Sequence, residues 1–128
     1  MTDTQFPRLR EESEAWCAAR DAMVEIIKAW AAEGRTDCYG TLSSLLRESH
    51  FSVPPRGRLM SRLLKAACEV EADRRAPVML TAIVVNKRTK QPSPQFEVLA
   101  KSEQFRRGDV QGWTWETERD AVFNHYRR

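Results

Sequence analysis

Seven cations stand out by type and spacing. Arg56, Arg58, Arg62 and Lys65 recur at steps of two to four residues, and Lys87, Arg88 and Lys90 cluster after an apolar run. Guanidinium and ammonium groups gathered in this way neutralise anions, and the chemistry they suit is contact with phosphate. Ser61, between them, adds one hydroxyl able to touch a base edge, which alone specifies little. Bond-making chemistry needs other residues, and the chain does not assemble them. His50 and His125 fall in no recognised catalytic pattern, and a histidine beside Phe51 is more often packed or solvated than catalytic. Cys17, Cys38 and Cys68 are odd in number and widely spaced, which fits reduced thiols and neither a disulfide framework nor a zinc knuckle. Glu97 and Lys101, with Asp109 beyond, form a nuclease-like acid and lysine set only if a bulge apposes them. There is no phosphate-binding glycine loop and no dinucleotide fingerprint. The expectation is a non-catalytic chain with no cofactor and no metal.

The net charge of +3 is unevenly spread. Met1 to Asp37 carries five basic and eight acidic side chains, whereas Arg47 to Lys90 carries ten basic and four acidic, so the positive field belongs to the middle of the chain. A length of 128 residues suits one domain, 1–128, with its own core. Met1 to Pro7 is too polar for a signal peptide and no apolar run is long enough to span a bilayer, so the expected location is cytoplasmic with no membrane partner.

The elements that must position these cations follow from periodicity. Trp16, Ala19, Met23, Ile26, Ile27 and Trp30 fill one stripe of a helix expected from Arg8 to Glu33, with Glu11, Glu12 and Glu14 at its positive end and Gly34 ending it. A second, short helix has Leu42, Leu45 and Leu46 inward and Thr41 as its N-cap. Pro54-Pro55 breaks the chain before a third helix, Gly57 to Asp73, with Leu59, Met60, Leu63, Leu64, Ala67 and Val70 on one face and the cations on the other. Pro77 to Asn86 is rich in β-branched residues and reads as a buried strand. Lys87 to Pro94 reads as a basic hairpin tip and Gln95 to Ala100 as the strand returning. After a loop over 101–112, Thr114 caps a closing helix with Trp115, Val122, Phe123 and Tyr126 inward. The expected fold is α+β: three N-terminal helices, a small antiparallel sheet with a basic hairpin, and a C-terminal helix, with Ile83 and Val85 buried among Trp16, Met23 and Trp30. That order is winged-helix-like, with the third helix and the hairpin facing nucleic acid together.

Tyr39-Gly40-Thr41-Leu42, the Arg56 to Lys65 helix and the proline-led Pro77 to Val85 segment give the region Tyr39 to Val85 a further meaning. It resembles the DNA-binding domain of alkylguanine-DNA alkyltransferases and alkyltransferase-like proteins, where a Tyr-Gly-x-Leu box opens a short helix, an arginine-rich helix follows, and such a segment leads to the reactive site. The resemblance implies a winged-helix fold and DNA binding. It departs at the nucleophile: the family's Pro-Cys-His-Arg segment falls at Thr81-Ala82-Ile83-Val84, with no thiol to activate. The whole chain is also similar to small bacterial and mobile-element proteins sharing Val84-Val85-Asn86-Lys87 and Pro92-Ser93-Pro94-Gln95-Phe96, a likeness that brings no chemistry. The expected partner is duplex DNA, held by Arg56, Arg58, Ser61, Arg62, Lys65, Lys87, Arg88 and Lys90. The alternative is a protein partner, docked on the acidic first helix or on Trp113 to Tyr126. Incubation with alkyl-labelled DNA is expected to leave Cys17, Cys38 and Cys68 unlabelled; label on any of them identifies a transferase.

Overall fold

The computed structural model describes residues 13–74 and 76–127. The expected helix start at Arg8, with Glu11 and Glu12, lies outside them, as do Arg75 and Arg128. Helix α1 (Glu14–Ala32) begins at Ser13, whose hydroxyl accepts from the Trp16 amide at 3.1 Å. It ends at Gly34, left-handed at φ 70°, with the Arg35 amide donating back to Trp30. Its buried stripe is Trp16, Ala19, Met23, Ile27 and Trp30, as the spacing requires. Helix α2 (Tyr39–Glu48) starts three residues earlier than predicted, because Cys38 rather than Thr41 takes the extended N-cap conformation. Helix α3 (Arg58–Asp73) packs on α1 and buries Met60, Leu63 and Ala67; helix α5 (Trp115–Tyr126) opens at Thr114, whose hydroxyl accepts from the Thr117 amide at 3.2 Å. Helix dominates this α+β chain.

The sheet differs from expectation. Residues Val78 to Val85 are all buried, as their composition demands; Ile83 belongs to the core cluster with Trp16, Met23 and Trp30, while Val85 is buried outside that cluster. They do not form a long strand: Leu80–Ile83 is a single 3-10 turn, and only Val84–Val85 (β2) is a strand. It pairs in parallel with Asp37–Cys38 (β1), Asp37 opposite Val84 and Cys38 opposite Val85. The turn packs against α1, α3 and α5, so helices surround it where an antiparallel neighbour was expected. Its backbone finds side-chain partners. The Met79 amide donates to Glu118 at 2.8 Å, and the Ala82 carbonyl accepts from the Trp115 indole at 2.7 Å.

The predicted hairpin is also corrected. After β2 the chain makes a tight turn: the Asn86 carboxamide oxygen accepts from the Arg88 and Thr89 amides, and the Lys90 amide donates to the Asn86 carbonyl. Gln95 to Ala100, read as a returning strand, lies in helix α4 (Pro94–Ala100), with Ser93 as N-cap and Pro94 in the first turn. Phe96 and Ala100, four residues apart, are its buried face. Over so few residues, alternation and helical spacing both place Phe96 and Ala100 inward and differ at Val98, which is exposed here, and the Ser-Pro start decides between them.

Glu118 is the charged group on which this packing turns. It is 4 % exposed and accepts from Met79, from Arg107 Nε at 2.7 Å and Nη2 at 3.1 Å, and from the Trp113 indole at 2.9 Å. Burial pushes its pKa up, but Arg107, the Met79 amide and Trp113 outweigh burial and hold it below the ordinary 4.5. A carboxyl that titrates lower folded than unfolded adds stability above about pH 4.5, lost as pH falls through its folded value. Glu118→Ala is expected to cost about 3 kcal/mol by urea denaturation, the low end for a broken buried pair because Arg107 keeps some solvent contact. Glu118→Gln should flatten the acid limb of stability against pH; an unchanged limb refutes the assignment.

Candidate nucleic-acid interface

Gly57 caps α3 at φ 110°, a conformation glycine adopts without strain, and the Pro54–Gly57 connection leaves Arg56 and Arg58 on the surface. One turn of α3 later, Arg62 and Lys65 are exposed and Ser61 is half-buried, opposite the face that holds Met60 and Leu63. Lys87, Arg88 and Lys90 are exposed in the turn after β2. They present no hairpin tip.

The ion pairs divide the cations into two classes. Arg20, Lys28, Arg35, Arg74, Lys101, Arg106, Arg107 and Arg119 each pair with a carboxylate. Arg56, Arg58, Lys65, Lys87, Arg88 and Lys90, and Arg127 at the end of α5, form no ion pair with any described carboxylate. A field left uncompensated in this way is available to an external anion.

The α3 cations border two adjoining clefts. One, of about 280 Å³, lies between α3 and α4, with Ser61, Arg62 and Lys65 on one side, Phe96, Val98 and Leu99 on the other, and Tyr39 and Thr81 also lining it. The second, of about 470 Å³, continues past Arg58 and Gln95. The structure thus brings Arg58, Ser61, Arg62 and Lys65 together. Arg56 and the turn cations line neither cleft. The turn is tethered to the first cleft through the Ser93 amide, which donates to the Tyr39 hydroxyl at 2.8 Å. Three peptide links separate Lys90 from Ser93, at most about 11 Å along the chain.

The segment matching the family's nucleophile is interior. Thr81, Ala82, Ile83 and Val84 are buried, and the Thr81 hydroxyl is 2.8 Å from the Cys68 sulfur. Burial pushes the Cys68 thiol up to about 11. Glu97 and Lys101 lie one helical turn apart on a helix, with no bulge, and pair at 3.3 Å, while Asp109 is held by Arg106 at 2.9 Å. His50 is exposed and left-handed at φ 68°, and its amide and that of Phe51 close the end of α2. Trp113 and Trp115 are half-buried with both indole N–H groups engaged, so they cover the core instead of forming an exposed apolar patch. No described helix is long and apolar enough to cross a membrane, and no cluster of described histidine, cysteine and acidic residues has the grouping a metal requires. Comparison with protein-family models, curated proteins and solved structures finds no significant match.

Sequence reasoning missed the second wall of the cleft, because α4 was read as a strand; Ser93-Pro94 was the available signal. It also missed Cys38. The Cys38 sulfur sits at the N-terminus of α2, 3.3 Å from the Thr41 hydroxyl. That contact, together with the Thr41 and Gly40 amides, outweighs desolvation and the Asp37 charge and holds the thiol below its ordinary range. Iodoacetamide at neutral pH, read by peptide mass spectrometry, is expected to label Cys38 at least about tenfold faster than buried Cys68. Thr41→Val should slow Cys38 selectively.

Proposed function

We propose that this protein is a non-catalytic module that binds duplex DNA, chiefly through its phosphates, with the exposed face of α3 and the basic turn after β2. The observation that carries this reading is the segregation of cations: eight on the rest of the described surface are held in ion pairs, whereas Arg56, Arg58, Lys65, Lys87, Arg88 and Lys90 have no described carboxylate beside them, a state shared outside these two elements by Arg127 at the end of α5. Arg56 and Arg58 also flank the N-terminus of α3, where the helix dipole adds to an attraction for anions. Arg62 and Ser61 each lie one helical turn from Arg58 and from Lys65. In this reading α3 takes the place of the third helix of a winged helix, and a compact basic turn takes the place of the wing. The likeness of Tyr39 to Val85 to alkyltransferase-like proteins supports the same partner. Three free cysteines suit a reducing compartment, and we place the protein in the cytoplasm. Docking of a protein on Trp113 to Tyr126 finds less support, since those aromatics are engaged in the core.

Counterion release gives a quantitative test. Fluorescence anisotropy of a labelled duplex is expected to show binding at low salt that weakens steeply as salt rises. Arg58→Ala with Lys65→Ala should weaken binding and lower the magnitude of the logarithmic salt slope by about two. Arg119→Ala with Arg127→Ala, which removes cations from α5 and its end, should leave both nearly unchanged. Absence of binding at low salt, or equal losses in the two variants, sinks the reading.

A further inference from the structure

The cleft between α3 and α4 has a composition that contact with duplex phosphate does not use. Its α4 side is apolar: Phe96 is buried, Leu99 is half-buried, and Val98 is 65 % exposed, the more exposed of two large apolar side chains left in solvent among the described residues. A lone exposed valine is ordinary, but one on the lip of a concave apolar wall is surface that a guest would cover. The α3 side is made of donors. Ser61 and Lys65 stand one helical turn apart, so they face the same way. Lys65 has no described carboxylate within ion-pair distance, Glu69 a turn further on included, and the Ser61 hydroxyl has no described partner. Tyr39 contributes a third donor: its hydroxyl accepts from the Ser93 amide, which leaves its own proton without a described acceptor.

An apolar wall facing an ammonium and two hydroxyl donors is complementary to a guest with an apolar body and an acceptor-only, negatively charged head. We propose that this cleft is a binding site for a small organic carboxylate, its head met by Lys65 and Ser61 on α3 and its hydrocarbon laid against Phe96, Leu99 and Val98 on α4. A neutral apolar guest leaves the ammonium unanswered, and an inorganic anion leaves Val98 in water. The volume of about 280 Å³ equals roughly nine water molecules in the liquid, which sets the guest at about ten non-hydrogen atoms.

Octanoate has that size and serves as the probe, titrated into the purified full chain and followed by amide NMR shifts. Shifts are expected to concentrate in α3 from Ser61 to Lys65 and in α4, with a Kd of about 1 mM or tighter, the range a ligand of this size reaches. Octanol and acetate, which keep only the body or only the charge, should bind at least about tenfold more weakly. Lys65→Met should weaken octanoate about tenfold while leaving octanol unchanged, and Val98→Asp should weaken it similarly. Both positions are exposed, so the variants keep the fold, and their amide spectra confirm it. Octanol binding as tightly as octanoate, Lys65→Met behaving like the parent chain, or no shifts at about ten times the expected Kd each overturn the proposal. No nucleic acid enters the experiment, so its failure leaves the DNA reading standing, and the reverse also holds.

Discussion

The carboxylate of Glu118 ties together three parts of the chain: α5, the buried Val78 to Val85 segment and the connection over 101–112. The buried segment from Val78 to Val85 has only two residues in a strand, so most of its backbone polar groups need partners that a sheet does not supply. Glu118 reaches in from α5 to accept the Met79 amide, and Trp115, three residues earlier, donates to the Ala82 carbonyl. A buried charge needs a counter-charge, and Arg107 provides it. Arg107 in turn donates to the Phe105 and Pro77 carbonyls, so the connection over 101–112 is drawn down onto the start of the buried segment. A second buried carboxylate, Glu71 on α3, ties the other end of α5: it accepts from the Tyr126 hydroxyl at 2.7 Å and from Arg74 at 3.2 Å. Burial and then this carboxylate hold the Tyr126 phenol well above its ordinary range. Two acids therefore fix α5 across the core, and neither is on the surface that carries the cations.

Where the sequence was legible, the signal was long. The stripe of α1 and the two-faced pattern of α3 extend over several turns, enough for a period to show, and Gly34 and Thr114 mark two helix ends with recognisable glycine or side-chain chemistry, whereas the Ser13 cap was not read. Burial of the Val78 to Val85 run was legible from hydrophobicity, because exposure is costly whatever the backbone does. Its conformation was not. β-branched residues favour a pleated surface only where a neighbouring strand exists, and here α1, α3 and α5 occupy the space around it. The pairing of β1 with β2 is parallel and joins residues 47 positions apart in sequence, a relation no local pattern encodes.

The site was legible on one side only. The cations of α3 follow from spacing alone, since residues three and four apart must share a helix face. The α4 wall depends on reading Gln95 to Ala100 as a helix, and two of the apolar positions there, Phe96 and Ala100, fit both periods. Tyr39 shows how a box read for its local role acquires a distant one: it opens α2, and its hydroxyl also fixes Ser93 and with it the start of α4. Glycine in that box is not demanded by space, since a Cβ at Gly40 would meet only the Cys38 sulfur, at 3.8 Å.

The separation of the two classes of cation has a consequence for how surface and core are related. Arg107 and Arg74 belong to the buried carboxylates, and changing them alters the packing of α5. Arg56, Arg58, Lys65, Lys87, Arg88 and Lys90 touch neither network. Like charges gathered on one face repel, and an uncompensated cluster brings no gain to the folded state by itself. In the α3 helix such a cluster is tolerated because the opposite face, Met60, Leu63 and Ala67, supplies the packing that holds the helix in place. The stability of this chain is thus assembled on one side of α3 and its positive field on the other. An anion that approaches the cationic face meets charges whose engagement disturbs nothing in the core.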